Sequence, residues 1–187
     1  MYTPEVSNVL SVYGMASADH IREGLSWYLD AHNVAVTLDP DSPSRAAGVI
    51  AAMSPMMGWE TNKRAAFLAY DRGTADGLGL SRNVAKANRI LAGEKALDVL
   101  GGDKVRAFYA TILDPHGFPI PVIDRHAFDI AVGSVTDEKA RSILSRKGVY
   151  AAFGEVYIQA AKVAGVSSSQ MQAITWVAWR EFKKGTD

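Results

Sequence analysis

The chain contains no cysteine. That absence excludes disulfides, thiolate zinc sites, cysteine-held iron–sulfur clusters and cysteine nucleophiles. No apolar run approaches the roughly 20 residues that span a bilayer, and the first ten residues, MYTPEVSNVL, lack the basic-then-apolar order of a signal peptide. A soluble, cytoplasmic protein with no membrane partner is expected. Net charge is missing too: 20 Lys and Arg balance 20 Asp and Glu, so no global field draws the chain to nucleic acid or anionic lipid. The balance is uneven, with a net −5 over residues 1–60 and +5 over residues 61–187. Any nucleic-acid face therefore belongs to the later part, although ordinary surface scatter gives the same asymmetry. Histidines number four, and His20 and His32 have no acids at metal-ligand spacing, so no metal and no cofactor is expected. Repeats, low-complexity tracts and domain-separating linkers are also absent.

What is present is apolar periodicity. At 187 residues and 48% hydrophobic, the chain can bury one sizeable core or two small lobes. The spacing predicts an all-α fold of about nine to ten helices, read as a single domain over 1–187 with room for two lobes and a cleft. Ser17 is expected to cap a helix carrying Ile21, Leu25, Tyr28 and Leu29 and ending near Asn33, with Val34–Leu38 an extended linker. Ser42-Pro43 reads as the N-cap and first position of an interior helix over Ser44–Met53. Ser54–Gly58 is a loop with apolar tips, and the next helix, Trp59–Asp71, is expected to keep Asn62, Lys63 and Arg64 outside. Ser81 should cap a helix with Arg82, Lys86 and Arg89 as a basic outer stripe. Later helices are expected from Thr136-Asp137-Glu138 to about Gly148, from Val149 to Ala164, and after Ser167, where Gln170 completes a capping box.

The stretch Ala96–Gly133 carries the chemistry. A short apolar helix meets Gly101-Gly102, a second amphipathic helix follows with Val105, Phe108, Tyr109 and Ile112, and after a proline-rich loop Asp124 opens a third. Two helices around a glycine turn can present backbone amides to a phosphate, though most such segments are plain connections.

The order of blocks resembles the helix-hairpin-helix DNA glycosylase superfamily, the fold of endonuclease III. Ser54-Pro55-Met56 precedes Asn62-Lys63; Leu78-Gly79-Leu80 precedes Lys86-Ala87 and Ile90-Leu91; Ala96-Leu97-Asp98-Val99-Leu100-Gly101-Gly102-Asp103-Lys104 precedes Ile123-Asp124-Arg125-His126. The resemblance covers roughly Ala46 to Gly133, about 46–133 as a glycosylase-like core, with helices over 136–184 packing on it. It implies a catalytic Asp124 that stabilises a cation-like sugar during N-glycosidic cleavage, a DNA-binding set of Gly101, Gly102, Lys104, Arg106, Lys86, Arg89, Arg125, Met56 and Met57, and His126 and Trp59 as further cleft residues. Arg106 stands where bifunctional members use a lysine nucleophile, and arginine stays protonated, so no lyase activity is expected. Lys104 replaces the hairpin's second glycine. The block Ser169–Arg180 resembles small actinobacteriophage proteins, which would place the chain in the host cytoplasm.

Asp124 equally serves as a plain helix cap, Met56 and Met57 as buried contacts, and the cations as a solvated face. Two functions follow. One is a monofunctional DNA glycosylase-like enzyme, or a relative turned to thymine modification. The other is an inactive module that binds DNA or a host protein.

Overall fold

The computed structural model describes residues 2–184, which form eleven α-helices and one 3-10 turn with no strand among them. They are α1 (Val6–Gly14), α2 (Ala18–Leu38), α3 (Pro43–Met53), α4 (Trp59–Arg72), α5 (Ser81–Leu91), α6 (Ala96–Val99), α7 (Asp103–Leu113), α8 (Arg125–Val132), α9 (Glu138–Arg141), the turn Ser142–Ser145, α10 (Val149–Ala164) and α11 (Ser168–Lys184). The all-α expectation holds. Two compact units arise: Leu29–Pro115, here the middle unit, and the described residues of Met1–Tyr28 and His116–Asp187, the terminal unit. Their boundary falls inside α2.

Helix α2 departs most from its sequence pattern. Val34–Leu38 is not an extended linker but the continuation of the helix. Thr37 donates its hydroxyl to the Asn33 carbonyl at 2.8 Å, which accommodates a β-branched residue in a helix, and Ala31 and Ala35 are buried. Asp39-Pro40 ends it, since a residue before proline is pushed out of helical geometry. The buried stripe is also rotated from the expected one. Leu25 and Leu29 stay 40% and 41% exposed, while Tyr28 is buried. The cause is Gly24: a Cβ there would lie 2.5 Å from Ile174 Cα, so only glycine lets α11 approach α2 at that point.

In the middle unit α3 is the central element, with every residue from Ala46 to Met53 buried and α4, α5, α6 and α7 packed around it. Val49, Ile50 and Met53, fully buried, each contribute on the order of 1.5–3 kcal/mol of transfer free energy. At Gly48 a Cβ would stand 2.7 Å from the Ala96 methyl, so a bare backbone sets the α3–α6 approach. Pro43 does start the helix, but the Ser42 hydroxyl makes no capping bond; Asp39 Oδ1 instead accepts from the Ser42 amide at 3.0 Å. Asn62 corrects another expectation. It is buried, not outside, and its Nδ2 donates to the Ile50 carbonyl at 3.0 Å, which fastens α4 to α3.

The terminal unit packs α8, α10, α11 and α1 together. Phe128 of α8 stacks on Phe153 of α10 at 4.7 Å. The expected capping box is present: Ser167 Oγ accepts from the Gln170 amide, and Gln170 Oε1 accepts from the Ser167 amide. The helix expected to reach Gly148 is shorter. Asp137 caps it as anticipated, but α9 gives way to the 3-10 turn after Arg141.

Candidate functional site

The hairpin lies in the middle unit. Leu100 ends α6 in an extended conformation, and Gly102 precedes α7 at φ +78°, a left-handed value that costs a side-chain-bearing residue about 1–2 kcal/mol. Arg106 fixes the turn. Its Nε donates to the Leu100 carbonyl and its Nη2 to the Leu97 carbonyl, both at 2.9 Å, so the cation satisfies carbonyls at the end of α6 and compensates their dipole. The residue in the nucleophile's place thus has a structural task. Around the turn, Lys104 is exposed and Lys86 Nζ stands 3.9 Å from where a Gly101 Cβ would be. The first amides of α7 have no intrahelical acceptor. Asp103 sits in the same first turn and offsets part of the lysines' charge.

Of the remaining basic candidates, Arg89 is held by Glu94 through two bonds of 2.8 and 2.6 Å, which raises the arginine and lowers the acid from their ordinary pKa values. Arg82 is exposed. Met56 is 88% exposed with φ +63°, so it is not a buried contact. Met57 is half-buried, its methyl 3.1 Å from where a Gly79 Cβ would be. Trp59, half-buried, takes the Lys63 ammonium over its ring at 5.6 Å.

Asp124 lies in the terminal unit, and its carboxylate is committed. Oδ1 accepts from the amides of His126 and Ala127, both at 2.9 Å, and Oδ2 accepts from Trp176 Nε1 at 3.2 Å. Helix dipole and two amides make this a strong N-cap. Each carboxylate oxygen accepts about two hydrogen bonds, so Oδ1 is filled and Oδ2 has one position left. The surroundings are aromatic: Trp27 meets Trp176 at 5.8 Å and Tyr28 at 4.8 Å, and Arg180 covers the Trp176 ring at 4.3 Å. The phenols of Tyr28 and Tyr157 are buried; burial, and then the negative charge of Asp124, push both well above their ordinary value. Tyr28 donates to Gln172 Oε1 at 2.7 Å and Tyr157 to the Ala127 carbonyl at 3.0 Å. Arg125 is exposed, and its Nε reaches His126 Nε2 at 3.3 Å.

Two ionic networks escaped sequence reasoning. In the middle unit Arg45 Nε pairs with buried Asp39 at 2.6 Å, and Tyr70 donates to the same carboxylate at 3.2 Å. Burial raises the Asp39 carboxyl, but the hydrogen bond and charge of Arg45 outweigh this and hold it below its ordinary value. In the terminal unit Asp129, fully buried, accepts from Thr136 Oγ1 at 2.6 Å and from Arg141 Nη2 at 3.0 Å. An acid amid Ala127, Phe128, Ile130 and Ala131 was the available signal, since buried charges need partners. Among the described residues no group of three His, Asp or Glu side chains could hold a metal, and no helix is long and apolar enough to cross a membrane.

Fold and site together define an all-α protein with a clamped helix–glycine–helix turn in one unit and a capped, aromatic-walled aspartate in the other. The chain belongs to the family of unknown function DUF7178, whose model matches residues 2–183. Comparison with curated proteins and with solved structures returned no match.

Proposed function

We propose that this protein is a DNA-binding module of helix-hairpin-helix type, in which the Gly101–Gly102 turn meets a backbone phosphate and Asp124 is a helix cap instead of a catalytic carboxylate. The observation that carries the reading is the turn itself. Lys86 Nζ beside Gly101, exposed Lys104 and the open amides at the start of α7 converge on one place, the combination by which helix N-termini hold phosphate. Arg106 clamps the loop from behind, so little ordering remains for binding to impose. Asp103 opposes the lysines, which makes their two charges decisive.

A second reading is a monofunctional glycosylase using Asp124, and the remaining lone-pair position on Oδ2 of a half-buried carboxylate favours it. Duplexes bearing uracil, 8-oxoguanine or an alkylated purine, incubated with purified protein and analysed for free base, separate the two. The module reading expects DNA binding without base release, and equal binding by Asp124→Asn. Base release by the wild type that disappears in a folded Asp124→Asn variant establishes the enzyme instead. Absence of binding to any DNA leaves a protein partner.

A further inference from the structure

A cavity of about 470 Å³ opens in the middle unit where the start of α3, the α5–α6 connection, α6 and Tyr109 of α7 meet. Lys86, Gly101, Gly102 and Lys104 do not line it, so it is independent of the DNA reading. Its volume lies in the range of small-ligand sites.

One wall suits an anion. Ser42 and Ser44 place their hydroxyls 3.4 Å apart on either side of Pro43, at the start of an 11-residue helix whose Ser44 amide has no acceptor among the described residues, while those of Ser42, Arg45 and Ala46 are already bonded. Arg45 lines the same wall; Asp39 holds its Nε, while the side chain stays 41% exposed, so the guanidinium is positioned in advance. Lys95 also lines the cavity and makes no ion pair among the described residues. The other wall is mixed. Ile90, Ala96 and Leu97 are apolar. Glu94 is neutralised by Arg89, and Asp98 has no ion-pair partner among the described residues. The telling residue is Tyr109: only 8% exposed, it lines the cavity, its hydroxyl makes no hydrogen bond among the described residues, and burial alone raises its pKa. Its hydroxyl oxygen keeps contact with solvent, so a polar group of a guest in the cavity can take the place of the water that meets it.

We propose that this cavity binds a phosphate monoester on a small hydroxylated body. The phosphate meets Ser42, Ser44 and Arg45, a hydroxyl of the body donates to Asp98, and the rest packs on Leu97 within reach of the Tyr109 hydroxyl. A free nucleotide or sugar phosphate and the 5′-phosphorylated end of a nucleic-acid chain share this chemistry. Calorimetric titration with AMP, adenosine, inorganic phosphate, and a short oligonucleotide with and without a 5′-phosphate separates the sources. AMP should bind at least about tenfold more tightly than adenosine or phosphate alone, and Tyr109→Phe and Ser44→Ala should each weaken it about fivefold to tenfold with the denaturation midpoint unchanged. Binding of only the phosphorylated oligonucleotide assigns the site to chain ends. No binding of AMP or of that oligonucleotide, or binding undiminished in both variants, overturns the proposal.

Discussion

Replacing Asp124 with Asn tests the cap directly, because the two side chains have nearly the same shape. The amide oxygen can still accept from His126 and Ala127, but its charge is gone; a charge at a helix N-terminus is worth about 0.3–1 kcal/mol, rising towards about 2 where partly buried. The amide NH2 would then face Trp176 Nε1, which now donates to Oδ2 at 3.2 Å. That exchanges a hydrogen bond of about 1 kcal/mol for two opposed donors. The sum is roughly 2 kcal/mol, equivalent to a melting shift of about 4–8 °C for a chain of this size. Trp176→Phe removes the indole bond, about 1 kcal/mol, and trims the ring contacts with Trp27 and Arg180, a loss that the double variant shares and the cycle cancels. In the double variant the opposed donors vanish, so its loss should be smaller than the sum of the two singles, with a coupling near 1 kcal/mol. Urea denaturation of the four proteins measures all of this. An Asp124→Asn variant within about 0.5 kcal/mol of wild type refutes the structural account and returns the carboxylate to chemistry.

Two further outcomes follow from the ionic networks. Arg141→Ala leaves Asp129 buried and unpaired, which should cost about 3–5 kcal/mol in denaturant unfolding, with partial recovery in Arg141→Lys. Asp39 makes stability depend on pH. Its folded pKa lies below the unfolded value, so its contribution is complete above the unfolded carboxyl's value near ~3.9 and is lost as pH falls through the lower folded value. Stability against pH should therefore fall on the acid side in the wild type, and Arg45→Met, which removes the cation that lowers Asp39, should flatten that part of the curve.

Some helix ends were legible because their signals are local, whereas the ends expected near Asn33 and Gly148 and the hydroxyl caps expected from Ser42 and Ser81 are not found. Asp124, Asp137 and the Ser167–Gln170 box each act within four residues of themselves, and each stands where the local pattern places it. The faces were less legible because a partner decides them. Gly24 turns α2 by what Ile174 allows, and Asn62 is drawn inward by a carbonyl twelve residues earlier. Of the candidate site, the glycine turn and the position of Asp124 at a helix start were readable. The tasks of Arg106 and Arg89 were not, because nothing in residue type tells a cation aimed at solvent from one aimed at a carbonyl or a carboxylate five to nine residues away.

The DNA reading stands or falls on how binding to a duplex responds to salt. Fluorescence anisotropy across a range of salt concentrations gives the slope of log K against log salt, to which each neutralised phosphate contributes about 0.9. If Lys86 and Lys104 each meet a phosphate, the Lys86→Ala/Lys104→Ala variant should bind more weakly, with a slope smaller in magnitude by about 2 and an unchanged melting temperature. A slope and affinity equal to wild type would contradict the account.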